Sequence, residues 1–220
     1  GLASYGKPSL YDAFKKIVRF KKNGAYEIDM RYFTYHYKNY LFKDWISKRF
    51  IREFGPKRKW EDEMTQHHMD IAASLQKITE DTVMHMLTYL HAKTKETNLC
   101  YAGGLALNCA LNGKITQETP FTDVFIQPAA GDNGTSLGAA LYVHNVVLKK
   151  PRTFTMNHPY LGLRYNHEEC VRQAKSCGVT YKDLGAGITK EAASLLAQGN
   201  IIGWFQDAFE IGPRALGNRS

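Results

Sequence analysis

The sequence predicts an α/β fold, because a strand, a glycine turn and a helix follow one another twice in the middle of the chain. The apolar strand Asn98–Tyr101 leads into Gly103-Gly104, and the strand Val124–Ile126 leads into the turn Gly131–Gly134. A helix of small residues, 136–143, follows the second turn. This alternation is typical of α/β construction.

The segment before the first strand predicts one amphipathic helix from Met69 to Lys93. Its apolar residues recur at the three-to-four spacing of a buried helical face: Ile71, Leu75, Ile78, Met86 and Leu90. Four histidines lie on or near this helix, two of them adjacent, His67 and His68. Adjacent helical residues point in different directions and do not suit one metal ion, so we interpret these histidines as solvated or core residues.

Further elements are expected around and beyond the two turns. The helix after Gly104 contains Leu105, Leu107 and Leu111, and Asn112-Gly113 is a good C-terminal stop for it. A domain boundary is expected near residues 149–152. The elements predicted beyond it are a helix capped by Asn166, a helix over Thr189–Leu196, a buried strand over Ile201–Phe205 and a loop over Glu210–Arg219.

Composition excludes several classes of protein. Charged residues make up 23% and aromatic residues 12%, which argues against disorder. The sequence contains no run of about 18 apolar residues, the length that a membrane-spanning helix needs. We therefore expect a soluble, cytoplasmic protein. The four cysteines form neither a CxxC pair nor a cluster at zinc spacing, so we expect reduced, structural thiols.

Because the chain opens on Gly1 within a motif-like stretch and stops after a glycine- and arginine-rich turn, we expect an internal piece of a longer protein.

The net charge of +8 and the pI near 9.2 allow two interpretations. A basic chain can bind nucleic acid, or it can be an enzyme whose substrates are nucleotides and phosphates. Residues 1–65 interleave basic and aromatic residues, as grooves for single-stranded nucleic acid do. Solvated, lysine-rich surface is far more common, and we expect no nucleic acid or membrane partner. The sequence is compatible with a homo-oligomer.

The two glycine turns are candidates for ligand binding. At Gly103-Gly104 backbone N–H groups can approach an anion at a helix start, although a tight turn alone would explain the pair. Asp132, flanked by Gly131 and Gly134, lies where open α/β sheets bind ligands. Asp132 could hold a divalent metal or simply cap the next helix. Two such turns after two strands favour a site for phosphate and metal.

A third candidate is the pair Arg214 and Arg219 in a loop rich in glycine. Guanidinium groups bind phosphate or carboxylate through two parallel hydrogen bonds. The alternative is a pair of ordinary surface arginines. The glycines around them favour a small oxyanion site.

These motifs together resemble the O-carbamoyltransferases, the family of nodulation-factor, tobramycin and cephamycin carbamoyltransferases. The resemblance covers the whole chain in order, apart from the basic stretch 10–65. The residues that carry it are Gly1–Pro8, Ala102–Cys109, Pro128–Gly134 with Leu137–Ala140, and Gly203–Gln206 with Gly212–Ser220.

The resemblance implies two domains and an ATP-dependent reaction. Residues 1–150 would be the second half of an actin/sugar-kinase-like domain, similar to the tRNA threonylcarbamoyladenosine transferase, and 151–220 the start of a YrdC-like α/β domain. In the family, the YrdC-like domain condenses carbamoyl phosphate with ATP to carbamoyl adenylate and pyrophosphate. The other domain, which holds Fe(II) and the nucleotide, passes the carbamoyl group to the hydroxyl of a small-molecule acceptor. The acceptor could be an aminoglycoside, a sugar, a β-lactam precursor or a polyketide.

The resemblance also implies roles for single residues. Gly103, Gly104 and Asn108 match the nucleotide-binding turn of the family, and the glycines of the second turn, 131 and 134, are expected to serve the same ligand. Asp132 matches a metal-binding aspartate. Arg214 and Arg219 match the loop that we assign to the phosphate of carbamoyl phosphate, where they would be catalytic by stabilising the charge of the leaving group.

One departure from the family concerns the metal. The paired histidines of the family, spaced His-x-x-x-His, are absent from this sequence, so the histidine ligands of a divalent metal would lie outside this chain. One carboxylate does not hold a transition metal tightly, and we expect the 220 residues to be inactive by themselves. Two alternatives stay open: transfer of a threonylcarbamoyl group to tRNA, and a non-catalytic nucleotide-binding module.

Overall fold

A computed structural model describes residues 1–36 and 45–220 of the chain. These residues form two compact units. The first unit comprises Gly1–Leu99 and Cys109–Phe125, and the second comprises Cys100–Asn108 and Ile126–Ser220. No helix in the described ranges is long and apolar enough to cross a membrane.

The first unit is built from short elements around one long helix. In chain order they are α1 (Tyr11–Lys15), β1 (Val18–Phe20), β2 (Tyr26–Ile28), α2 (Lys48–Phe54), α3 (Gln66–Thr94) and, after an excursion into the second unit, α4 (Cys109–Glu118). Strands β1 and β2 form an antiparallel hairpin in which Val18 pairs with Ile28. Part of the core is a cluster of five buried side chains, Phe14, Ile17, Tyr32, Phe54 and Ile78.

The predicted long helix is confirmed, but its buried face differs from the expected one. Of the expected apolar residues, Ile78 is buried, whereas Leu75 and Leu90 are exposed. The buried face of α3 includes the small residues Ala73 and Ser74. Small residues are selected there because the N-terminal segment runs directly over the helix, with the Leu10 N–H donating to Ser74 Oγ at 3.0 Å. Hydrophobic spacing alone does not reveal such a close backbone approach.

Two parallel strands carry the chain between the units, and they confirm the mixed α/β class. They are β3 (Asn98–Tyr101) and β4 (Asp123–Ile126), which pair with each other. The Thr122 N–H donates to the Thr97 carbonyl at 2.9 Å, and the Gln127 N–H donates to the Tyr101 carbonyl at 3.2 Å. Because the partners advance together along both strands, the strands run parallel.

The α-helices of the second unit are α5 (Thr135–Tyr142), α6 (His167–Ser176) and α7 (Ile188–Ala197). A π-helical turn, Val143–Val147, follows α5. The predicted cap of α6 is confirmed: Asn166 Oδ1 accepts from the Glu169 N–H, and Glu169 Oε2 accepts from the Asn166 N–H, both at 2.9 Å. This reciprocal pair satisfies two otherwise unbonded donors at the start of the helix.

The helix predicted to end at Asn112-Gly113 continues to Glu118. It is also interrupted, since a 3₁₀ turn at Gly104–Leu107 precedes α4. Glycine inside a helix costs only about 1 kcal/mol relative to alanine, and burial of Leu111 and Ile115, both 0% exposed, outweighs that cost.

The predicted buried strand Ile201–Phe205 is wrong. Ile201 is 100% exposed and Phe205 is 47% exposed. Trp204 and Ser220 exchange two backbone hydrogen bonds, and the Gln206 N–H donates to the Asn218 carbonyl. These few backbone hydrogen bonds are fewer than a regular β-strand forms with its neighbour. The segment therefore forms isolated β-bridges instead of a strand.

The four cysteines are free, as predicted, but all four are exposed. The expectation that they are structural thiols is therefore wrong for this structure. A thiol packed in a core would be protected from solvent.

Candidate functional site

All eight predicted site residues lie in the second unit, on three backbone turns. The first turn is held by the Gly103 N–H, which donates at 2.9 Å to the carbonyl of Ala130, the residue before the second turn. Gly103 has a φ of +102°, which favours glycine. A Cβ on Gly131 would lie 4.0 Å from the Gly104 Cα. The two strand-to-helix turns are therefore neighbours, as the sequence interpretation requires.

The first turn ends at Asn108, another predicted nucleotide-binding residue. The 3₁₀ helix Gly104–Leu107 follows Gly103, and the Asn108 N–H donates to the Leu105 carbonyl at 2.9 Å. Asn108 is half-buried, whereas Gly103 and Gly104 are exposed. The exposed glycines leave the backbone of this turn accessible to a ligand.

The second turn places Asp132 at the start of a 3₁₀ turn, Asp132–Gly134. The Asp132 carbonyl accepts from Thr135 Oγ at 2.6 Å, and the residue is exposed. A Cβ on Gly134 would overlap the carbonyl oxygen of Ala129, so only glycine lets this turn close. Because Asp132 is exposed, its carboxylate is accessible to a ligand.

These residues do not complete a metal site. Within residues 1–36 and 45–220, no group of three or more histidine, cysteine, aspartate or glutamate side chains could hold a metal ion. Asp132 supplies one carboxylate, fewer ligands than a transition metal needs. The metal and its histidine ligands outside this chain stay a prediction.

The third turn, the arginine loop over residues 210–219, packs against the other two. Gly212 has a φ of +101°, and a Cβ there would overlap the carbonyl oxygen of Pro128, just before the second turn. Arg214 Nε donates to the Leu107 carbonyl of the first turn at 3.2 Å. The structure therefore brings Arg214 together with the glycine turns, although Arg214 and Leu107 lie 107 positions apart.

The two predicted arginines differ in their surroundings. The Arg214 side chain is exposed, and it donates through Nε to the Leu107 carbonyl. Arg219 is partly buried; its Nη2 donates to the carbonyls of Gly212 at 3.2 Å and Arg214 at 3.1 Å. Arg219 Nε lies 3.2 Å from Glu210 Oε2. Arg219 thus braces the arginine loop, whereas Arg214 is held through Nε and its exposed guanidinium is accessible to a ligand.

Sequence reasoning missed Glu210. Its side chain is 0% exposed, and its Oε1 accepts from the backbone N–H groups of Leu216 at 2.9 Å and Asn218 at 2.8 Å. Burial opposes ionisation, but these hydrogen bonds and the charge of Arg219 outweigh it and lower the pKa of the Glu210 carboxyl. The sequence offers one weak signal, an acidic residue at the start of a glycine-rich loop, which is also typical of solvated surface.

Two family models match this chain. The description "Carbamoyltransferase N-terminus" matches residues 1–141, and "Carbamoyltransferase C-terminus" matches residues 193–220. The chain therefore belongs to the carbamoyltransferase family. The expected boundary near residue 150 lies between these two matches and stays a prediction.

Similar proteins come from bacteria of several kinds. An uncharacterised protein of Synechocystis sp. is 39% identical over the whole of this chain, which spans 37% of that protein. Nodulation protein NolO of Bradyrhizobium diazoefficiens is 35% identical over 100% of the chain and 38% of its own length. The 3'-hydroxymethylcephem-O-carbamoyltransferase of Streptomyces clavuligerus is 28% identical over 98% of the chain and 39% of its own length. The chain thus spans less than two fifths of each of these relatives.

Proposed function

We propose that the protein carrying this chain is an ATP-dependent O-carbamoyltransferase. Water would first release phosphate from carbamoyl phosphate and leave carbamate. An oxygen of carbamate would then attack the α-phosphorus of ATP, which forms carbamoyl adenylate and displaces pyrophosphate. Transfer of the carbamoyl group to a hydroxyl of a small-molecule acceptor would then release AMP. The observation that carries this proposal is the meeting of three turns, at Gly103, Gly131 and Gly212, in a chain of the carbamoyltransferase family.

The glycine turns are suited to a nucleotide. Gly103 and Gly104 expose backbone next to Gly131, and the second turn leads directly into helix α5. Backbone N–H groups and the positive end of a helix both favour phosphate groups. We assign ATP or the adenylate to Gly103, Gly104, Asn108, Gly131 and Gly134.

The arginine loop is suited to a phosphate leaving group. Arg214 is exposed, and its Nε is anchored on Leu107, so its terminal nitrogens can bind an oxyanion from a fixed position. A pre-oriented guanidinium stabilises charge that develops as phosphate leaves. Arg219 would assist through Nη1, since its Nη2 binds the loop carbonyls and its Nε faces Glu210.

The proposed function includes a fold assignment. The parallel strands β3 and β4, each followed by a glycine turn and a helix, support an actin/sugar-kinase-like domain over residues 1–150. The residues that follow, 151–220, are assigned to the start of a YrdC-like domain, in line with the match at 193–220.

Pyrophosphate release from ATP by the full-length protein tests the proposal. Release should require carbamoyl phosphate and should fall by roughly a hundredfold in Arg214→Ala, the loss typical of removing one fixed oxyanion donor. Arg172→Ala removes an exposed arginine of helix α6 and serves as the matched control. Asp132→Ala should still release pyrophosphate but fail to carbamoylate an acceptor. Release that ignores carbamoyl phosphate would refute the carbamoyltransferase proposal.

A further inference from the structure

The arginine loop closes around a single carboxylate, that of Glu210. Glu210 opens the loop, and its Oε1 accepts hydrogen bonds from Leu216 and Asn218 near the other end. Arg219 lies within ion-pair distance of its Oε2. The loop therefore turns back on the carboxylate, and Arg214 lies between the two anchored ends.

Asn218 reinforces this closure from the opposite side. Its side chain is buried, and its Nδ2 donates to the Ala208 carbonyl at 2.9 Å. Its backbone carbonyl accepts from the Gln206 N–H at 2.7 Å. Asn218 therefore connects the end of the loop to Gln206 and Ala208 in the segment before Glu210, which leaves the loop little freedom to open.

Carboxylates are rarely buried in proteins unless they are paired with hydrogen-bond donors or a positive charge. Removal of a carboxylate from water is costly and is offset only by hydrogen bonds and a nearby positive charge. Glu210 has both, from two backbone N–H groups and from Arg219. A hydrophobic residue would fill the same space more simply, so the retained charge indicates a role in shaping the loop.

We propose that Glu210 is a positioning residue that sets the geometry of the oxyanion site by holding Arg219 and the backbone on both sides of Arg214. This inference rests on the proposed function for its chemistry, while its structural part concerns the loop alone. Glu210 contacts no reacting atom itself. It acts through Arg219, whose Nη2 in turn holds the carbonyls of Gly212 and Arg214.

The decisive variant is Glu210→Gln in the full-length protein. Glutamine keeps the size and one acceptor oxygen, but it presents an NH₂ group to Arg219 and removes the ion pair. Glu210→Asp keeps the charge on a shorter side chain. Glu191→Gln is the matched control, because it makes the same chemical change at an exposed position of helix α7.

Two measurements separate this inference from the proposed function. The first is amide hydrogen exchange at Leu216 and Asn218, which should be faster in Glu210→Gln than in the wild type and unchanged in Glu191→Gln. The second is steady-state kinetics: in Glu210→Gln the KM for carbamoyl phosphate should rise about tenfold, while the KM for ATP stays within about twofold. Glu210→Asp should restore part of the affinity for carbamoyl phosphate.

Each outcome decides a different statement. Unchanged exchange at both amides in Glu210→Gln, or an unchanged KM for carbamoyl phosphate, overturns the role of Glu210. A wild-type protein that does not use carbamoyl phosphate refutes the proposed function, and exchange still decides whether Glu210 organises the loop. If Glu210→Gln folds poorly, Glu210→Asp must show the same selective rise in KM, to a smaller extent, and a uniform loss of activity towards both substrates would contradict the proposal.

Discussion

Different kinds of interaction stabilise the interior of each of the two units. The first buries large side chains, whereas in the second the most deeply buried residues are small or polar. Fully buried side chains of the first unit include Tyr32, Phe54, Phe121, Ile17, Ile78, Leu111 and Ile115. Buried residues of the second unit are Ala106, Ala129, Ala130, Ala208 and Asn218.

This difference matches the positions of the candidate site residues. In the first unit, burial of apolar area supplies the stabilisation. In the second, tight backbone contacts at Gly134 and Gly212 and the hydrogen bonds of Glu210 define the shape. A ligand site built from backbone needs such close approach, and bulky side chains would prevent it.

The distribution of charge also differs between the N-terminal segment and the rest of the sequence. Residues 1–60 contain fifteen lysines and arginines but only five aspartates and glutamates, so the excess of positive charge is concentrated there. Some of that charge is paired locally, as in the ion pair of Lys21 with Glu27 at 2.7 Å. The candidate site residues all lie outside this segment.

The largest effect on stability is expected from Phe54→Ala in the first unit. Phe54 is 1% exposed, and its ring centroid lies 4.6 Å from that of Phe14. Truncation of such a ring costs about 3–5 kcal/mol, and amide exchange in helix α3 should accelerate accordingly. Trp60→Ala is the control, because Trp60 is 89% exposed. Equal effects of the two variants would contradict a side-chain core in this unit.

A smaller effect, confined to the second unit, is expected from Gly212→Ala. The added Cβ would overlap the Pro128 carbonyl at a φ that favours glycine, and such strain costs of order 1–3 kcal/mol. Limited proteolysis should cut the arginine loop faster in this variant. Gly203→Ala is the matched control, since a Cβ at Gly203 meets nothing within 4 Å. If both glycine variants behave like wild type, the close packing of the arginine loop is refuted.

Acid should weaken the first unit through Asp29. Its carboxylate accepts from Arg31 Nε at 2.8 Å and Nη2 at 2.6 Å, and these bonds hold the pKa of Asp29 below its usual value of 3.8. A lowered pKa in the folded state stabilises the protein above the unfolded pKa, and this stabilisation is lost as pH falls through the folded value.

The test is thermal melting of Asp29→Asn and wild type between about pH 5 and pH 2. The wild type should lose stability across this window, and the variant should show a flatter dependence on pH. Asp12→Asn serves as the control, because the Asp12 side chain is 90% exposed. Parallel curves for Asp29→Asn and wild type would exclude Asp29 as a source of acid sensitivity.

The smallest effect is expected for binding to tRNA. The basic segment 1–60 is the feature that would favour a tRNA substrate, yet we expect no retention on immobilised tRNA at about 0.15 M salt, where non-specific phosphate contacts are weak. Retention that persists at this salt concentration would move the threonylcarbamoyl alternative ahead of the O-carbamoyltransferase proposal.

Local features of the fold were predictable from the sequence. The cap at Asn166, the strand Asn98–Tyr101 and the two glycine turns depend on neighbours a few residues away. The buried face of α3 and the missing strand at Ile201–Phe205 were not predictable. Both depend on which distant segment packs against them, and apolar spacing carries no information about the partner.

Some features of the candidate site were likewise predictable from the sequence, and others were not. The sequence by itself determined which residue types are available: glycines that let backbone approach a ligand, the carboxylate of Asp132, and two arginines. Only the tertiary structure decided that the turn at Gly103, the turn at Gly131 and the arginine loop meet, that Arg219 is engaged by the loop, and that Glu210 is buried at its centre. The physical reason is range: turn chemistry is set by adjacent dihedral angles, whereas the bond between Arg214 and Leu107 joins residues 107 positions apart and exists only once the chain has folded.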